Sequence, residues 1–178
     1  MSIELDAATA AEESAREIIL RRLSRSPQTH QQLREAALRK GIDEVAVDAV
    51  LVRLTEVGLV DDDAYAASFL GSYRDRPGSS RHWMQRRLIE KGIDRDLAGE
   101  VVSQISDEEE LASAVALLRR KGNAPGQDPR SRQRNYGRLA RRGYRGATIA
   151  QALAEASTND LSETELIELN DAGALDIE

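Results

Sequence analysis

The densest chemistry in this sequence is cationic. Arg130, Arg132, Arg134, Arg138, Arg141, Arg142 and Arg145 crowd one stretch, and Arg81, Arg86, Arg87 and Lys91 form a second. A guanidinium is a planar fork that grips a phosphate or a carboxylate through paired hydrogen bonds, so both stretches are suited to holding anions. The usual catalytic groups are thin by comparison. His30 and His82 are the only histidines, and neither has a second His or a Cys at metal-ligand spacing, so both are read as surface or helix-start residues. Asp61, Asp62 and Asp63 are conceivable magnesium ligands, yet three acids at a helix start also serve as cap and dipole partners, and that role is expected here. There is no phosphate-cradling loop ending in Lys-Ser or Lys-Thr and no nucleophile elbow. These residues predict a binder rather than an enzyme, with no metal and no cofactor. The cations chosen as the partner or DNA contact are Arg86, Arg87, Lys91, Arg138, Arg141, Arg142 and Arg145.

The formal charge of −6 hides a segregation. Residues 1–14 hold four acids and residues 155–178 hold eight, and neither segment contains Lys or Arg. Setting those twelve aside leaves 19 of the 31 acids against all 25 bases, so the body between the ends carries about +6. The absence of cysteine excludes disulfides and thiolate metal sites and fits a reducing cytosol. The N-terminus lacks the positive start and apolar run of a secretory signal, and no stretch reaches membrane-span length, so a soluble, cytoplasmic, monomeric protein is expected.

The elements that must position these cations recur with a period of 51 residues. Gly41, Gly92 and Gly143 close the similar phrases Leu38-Arg39-Lys40-Gly41-Ile42, Ile89-Glu90-Lys91-Gly92-Ile93 and Ala140-Arg141-Arg142-Gly143-Tyr144. Twelve residues before each glycine stands Thr29, Ser80 or Ser131, a residue type that caps helix N-termini, and Gln32 completes a capping box with Thr29. Breakers precede each cap at Ser26-Pro27, Pro77-Gly78 and Asp128-Pro129. After each glycine, apolar residues fall at helical spacing: Val47, Val50, Leu51 and Leu54, then Ala98, Val101, Val102 and Ile105, then Ile149, Ala152, Leu153 and Ala156. The pattern predicts an all-α protein of three tandem three-helix units, each resembling a helix-turn-helix element. Aromatic residues make up only 3% of the chain, which adds little strand signal.

The organisation expected is a loose segment over 1–11, repeats over 12–61, 62–106 and 107–156, and an acidic tail over 157–178. Helices are expected near 12–25, 30–40, 44–57, 63–75, 81–91, 95–105, 107–121, 132–142 and 146–156, with a break at 122–126 and a short acidic helix possible after Ser162. Tyr65, Phe69 and Tyr73, spaced four apart, are read as core, as is Trp83. Trp83, Tyr136 and Tyr144 are the only aromatics near basic residues, a sparse platform for stacking single-stranded bases. Lys40, Lys91 and Arg142 hold equivalent places before the glycine turn, where a cation either complements a helix C-terminus or meets a partner.

The phrase Gly58-Leu59-Val60-Asp61-Asp62-Asp63-Ala64-Tyr65-Ala66, joined to Leu88-Ile89-Glu90-Lys91-Gly92-Ile93, resembles the RecX regulatory proteins of bacteria over about residues 15–154. The resemblance implies an elongated, curved array of three three-helix repeats. It also implies a non-enzymatic partner of the RecA recombinase and its single-stranded DNA filament, one that limits filament growth, ATP hydrolysis, strand exchange and co-protease activity. A DNA-binding regulator acting on single- or double-stranded DNA and a protein-interaction scaffold are the alternative readings. The acidic tail beyond the third repeat departs from the family pattern, and it is expected to compete for the Arg-rich repeat. Deletion of residues 157–178 should then strengthen binding at low salt.

Overall fold

In the computed structural model, residues 2–120 and 128–157 are described, with side chains from residue 8 onward. The break at 122–126 and the tail from 158, including the possible helix after Ser162, lie outside the described residues. All regular structure among the described residues is helical. The chain runs α1 (Ser2–Leu23), α2 (His30–Leu38), α3 (Glu44–Glu56), α4 (Asp62–Tyr73), α5 (Arg81–Glu90), α6 (Arg95–Ser103), α7 (Asp107–Arg119), α8 (Pro129–Arg141) and α9 (146–157). Three three-helix repeats follow in order.

The local signals set most helix ends. Thr29 caps α2 in a reciprocal box with Gln32, and Gly41, Gly92 and Gly143 reverse the chain with φ of 77°, 89° and 83°. Three expectations need correction. Helix α1 begins at Ser2 rather than near residue 12, because residues 2–11 contain neither Gly nor Pro and are rich in Ala. Helix α8 is capped by Asp128 rather than Ser131: the Asp128 carboxylate accepts from the backbone N–H groups of Arg130 and Ser131. Pro129 then occupies the first turn, where its missing N–H costs nothing. Of the three spaced aromatics on α4, only Phe69 is buried; Tyr65 and Tyr73 are half-exposed. Trp83 is half-exposed too, tilted against Tyr73 with ring centroids 5.3 Å apart.

Two units emerge, and their border falls inside helices rather than between repeats. The first holds the described residues up to Gly71 with Gln85–Val101; the second holds Ser72–Met84 with the described residues from Val102. In the first unit Ala15 and Ile19 of α1, Leu33 and Ala37 of α2, and Val47, Val50, Leu51 and Leu54 of α3 form one apolar cluster. In the second, Ala114, Leu117 and Leu118 of α7 meet Leu139 of α8 and Ile149, Ala152 and Leu153 of α9. Burial of each Leu or Ile side chain contributes about 1.5–3 kcal/mol, so these clusters dominate the stability of their units.

Candidate partner-binding surface

Helix α8 is positioned by one buried edge. Leu139 is fully buried and Asn135 nearly so, which turns the rest of the helix outward. Arg130, Arg132, Arg134 and Arg141 are exposed, Arg138 is half-exposed, and Arg145 is exposed just before α9. Arg130, Arg134, Arg138 and Arg141 follow the three- and four-residue spacing that places side chains on one stripe of a helix. The helix sequence has no acidic residue, and none of Arg130, Arg132, Arg138, Arg141 and Arg145 forms an ion pair with a described residue. Arg134 donates to the Ser131 hydroxyl over 2.6 Å, and Asp128 beneath it is held below the usual carboxylate range, first by the hydrogen bond from Ser131. Tyr136, 44% exposed, adds one ring to this surface.

Several arginines elsewhere have carboxylate partners. Arg34 bonds Asp48 at 2.7 Å and also Glu44, which raises its own pKa and lowers that of Asp48. Arg74 grips both oxygens of Glu109 at 2.7 and 3.0 Å, and this contact is the leading cause that depresses the Glu109 carboxyl to about 2. Arg81 reaches Asp107 at 2.7 Å and the Ile105 carbonyl at 2.9 Å.

The seven cations selected from the sequence divide accordingly. Arg86, Arg87 and Lys91 lie in the first unit, and Arg138, Arg141, Arg142 and Arg145 in the second. Arg86 and Arg87 both pair with Glu90, at 3.3 and 2.9 Å, so their charge is partly offset within α5. The Lys91 ammonium sits 5.9 Å from the centre of the Tyr65 ring. Arg142 is tied into the fold: its Nη1 donates to the Gly78 carbonyl over 3.2 Å. Arg138, Arg141 and Arg145 are thus the selected cations left most available, and the structure adds Arg130, Arg132 and Arg134 beside them on the described surface.

Across these helices lies a matched set of long-range bonds that sequence reasoning missed. In the first unit the Thr29 hydroxyl donates to the Lys91 carbonyl over 2.5 Å, and in the second the Ser80 hydroxyl donates to the Arg142 carbonyl over 2.5 Å. Asp62, an acid in the first turn of α4 as expected, also accepts from the backbone N–H of His30 over 2.8 Å, while Asp61 caps α4 through the Ala64 N–H. Asp61 and Asp62 are thereby committed to two helix starts, and no group of three metal-ligating residues occurs among the described residues. Tyr144 is no stacking platform: it is 5% exposed, its hydroxyl lies 3.0 Å from Ser113 Oγ, and burial pushes its pKa up to about 12. A further capping box, Ser106 with Glu109, opens α7, and the Ser-x-x-Glu spacing that signals it is visible in the sequence.

Known proteins share this pattern. A family model described as the first three-helix domain of RecX matches residues 15–54. The regulatory protein RecX of Streptomyces coelicolor is 37% identical over 155 residues, a span covering 86% of this chain and 82% of that protein. The chain belongs to the RecX family. The regulatory protein RecX of Thermobifida fusca is 38% identical over 132 residues, covering 73% of this chain and 71% of its own. The crystal structure of RecX from Lactobacillus salivarius superposes with a TM-score of 0.76, covering 84% of this chain and 99% of that one. At 18% identity that likeness speaks for the fold alone. No helix among the described residues is long and apolar enough to cross a membrane. The relatives are named regulatory proteins, and the arginines of α8 lie on the described surface of this chain.

Proposed function

We propose that this protein is a non-catalytic regulator that binds the RecA recombinase in the cytoplasm. It engages the recombinase filament on single-stranded DNA and restrains filament growth, ATP hydrolysis, strand exchange and co-protease activity. The observation that supports this reading is the α8 surface: a helix with several exposed arginines and no acidic residue, in a protein whose relatives are regulatory. Arg138, Arg141 and Arg145, with Arg130, Arg132 and Arg134, supply the contact; each can hold a carboxylate of the recombinase or a phosphate of its DNA. Family membership supports the recombinase as partner, and the exposed arginines of α8 support the location.

The test is the single-strand-dependent ATPase rate of the cognate recombinase as the protein is titrated in, with binding to free DNA measured in the same buffer. Inhibition below one molecule per recombinase subunit, at concentrations leaving free DNA mostly unbound, is the expected result. No inhibition at excess overturns the reading. A DNA reader would instead bind free DNA tightly and lose affinity steeply with salt, with a slope of about −0.9 in log K per phosphate neutralised on duplex DNA. A scaffold would do neither.

A further inference from the structure

The long-range bonds described above belong to a docking arrangement that occurs twice and is left open once. In the first unit, Thr29 caps α2 by accepting from the Gln32 N–H and at the same time donates to the Lys91 carbonyl. Two residues after the cap, Gln31 lies against Gly92 so closely that a methyl group there would come within 2.6 Å of its Cγ. In the second unit Ser80 accepts from the Trp83 N–H and donates to the Arg142 carbonyl, and a methyl group on Gly143 would come within 2.6 Å of His82 Cδ2. Each is a helix N-terminus seated on a glycine turn that ends another helix. The seat covers the residue after the glycine: Ile93 is 2% exposed and Tyr144 5%.

The first glycine turn has the same sequence pattern and φ but no occupant among the described residues. A methyl group on Gly41 would meet nothing within 4 Å, Lys40 and Gly41 are exposed, and Ile42 is not fully buried. Val45, at the start of the helix that follows, is 76% exposed, whereas the equivalent position after Gly92 carries Asp96. The equivalent position after Gly143 carries Ala147, so a branched aliphatic residue stands where the covered copies have a charge or a methyl group.

We infer that the Lys40–Val45 turn is a docking site for the N-terminus of a helix from another protein, one capped by Ser or Thr. The two covered copies specify that occupant. The cap must accept from its own helix and donate to a carbonyl at once, which a hydroxyl does and a carboxylate cannot. The positive end of the incoming helix then meets the negative end of α2, and an apolar residue of the partner covers Ile42 and Val45. The corresponding helix of the third repeat in a second copy does not supply the matching end. In the third repeat the helix start has moved to Asp128, which has no proton to donate, and Ser131 is drawn into the first turn where its oxygen accepts from Arg134.

The experiment uses the full-length, ¹⁵N-labelled protein and, as probe, a side-chain-stapled helical peptide copying residues 27–39, the segment that seats on Gly92. On titration to millimolar peptide, the amide resonances of Lys40, Gly41, Ile42 and Val45 should shift and those of 91–96 should not. A peptide carrying Thr29→Asp, which still caps but cannot donate, should bind at least tenfold more weakly. Gly41→Asn in the protein, tolerable at positive φ, should abolish the shifts without lowering Tm by more than a few degrees. Absence of shifts at 40–45, or equal binding by the Thr29→Asp peptide, overturns the inference. So do concentration-dependent shifts of the same residues without peptide, which would make a second copy the occupant. None of these readouts involves the recombinase, so failure here leaves the proposed function standing.

Discussion

Helices α5 and α8 hold the same place in successive repeats, 51 residues apart at Ser80 and Ser131, yet their arginines live in different company. On α5, Arg86 and Arg87 share Glu90 one turn away; on α8 there is no acid, and Asp128 at its start is engaged by the helix end and Ser131. The capping end differs as well. Ser80 is a buried cap bonded to a distant carbonyl, whereas Ser131 sits inside the first turn of a helix that starts three residues earlier. One supersecondary template therefore serves two purposes. Where its hydroxyl and glycine are engaged it joins repeats, and where its cap has shifted it presents guanidinium groups. A paired surface arginine contributes little net attraction, since such pairs are worth about 0–1 kcal/mol and leave less charge for a partner.

The glycines offer the strongest way to break this comparison. Gly92→Ala and Gly143→Ala each impose a left-handed conformation and a clash with a fixed neighbour, so each should lower unfolding free energy by about 2–4 kcal/mol. Gly41→Ala has the conformational penalty alone and should cost about 1–2 kcal/mol. Urea denaturation of the three variants checks the order; equal losses would mean that the contacts of Gln31 and His82 do not matter.

The caps give the next effect. Thr29→Ala and Ser80→Ala each remove a cap and a long-range bond and should cost about 1–2 kcal/mol, while Ser131→Ala should stay within about 0.5 kcal/mol. Asp128→Ala should behave like a simple cap loss, at about 1 kcal/mol. A Ser131 effect as large as that of Ser80 would place the third repeat in the same docking role as the others.

The smallest effect is in pH. The Glu109 carboxyl is held near 2, below its usual value of about 4.5, mainly by Arg74. Because the folded value is the lower one, this contribution is complete above about pH 4.5 and disappears as pH falls toward 2. Glu109 is half-exposed, so screening by solvent keeps the effect small. Melting temperatures of wild type and Glu109→Gln, which keeps the capping box, should converge as pH drops from 5 to 2.5.

How far the chain could be read in advance follows from the range of each interaction. The glycine turns, the Thr29 box and the apolar spacing of α3 are local, and they were legible residue by residue. The start of α8 was also written locally, in Asp128-Pro129, but a breaker and a cap with Pro at the first turn share that dipeptide. The pairing of Arg86 and Arg87 with Glu90 lies within one helical turn and could have been anticipated from spacing. Arg142 could not, because its carbonyl and guanidinium meet Ser80 and Gly78, more than sixty residues earlier. Nor could the bond by which Asp62 also holds the start of α2. Composition identified where cations accumulate; only tertiary contacts separate those held by the fold from those left exposed.

That separation is tested most directly by recombinase ATPase inhibition with two charge-reversal variants compared side by side: Arg138, Arg141 and Arg145→Glu on the α8 side, and Arg86 and Arg87→Glu on α5. Arg142 is left intact in both, and circular dichroism confirms equal helical content. With each lost charged hydrogen bond worth about 1.5–3 kcal/mol, the first variant should need on the order of a thousandfold more protein, or beyond, for half-inhibition, and the second less than about threefold. Equal losses, or a larger loss from the α5 variant, would contradict the assignment of the partner surface to α8.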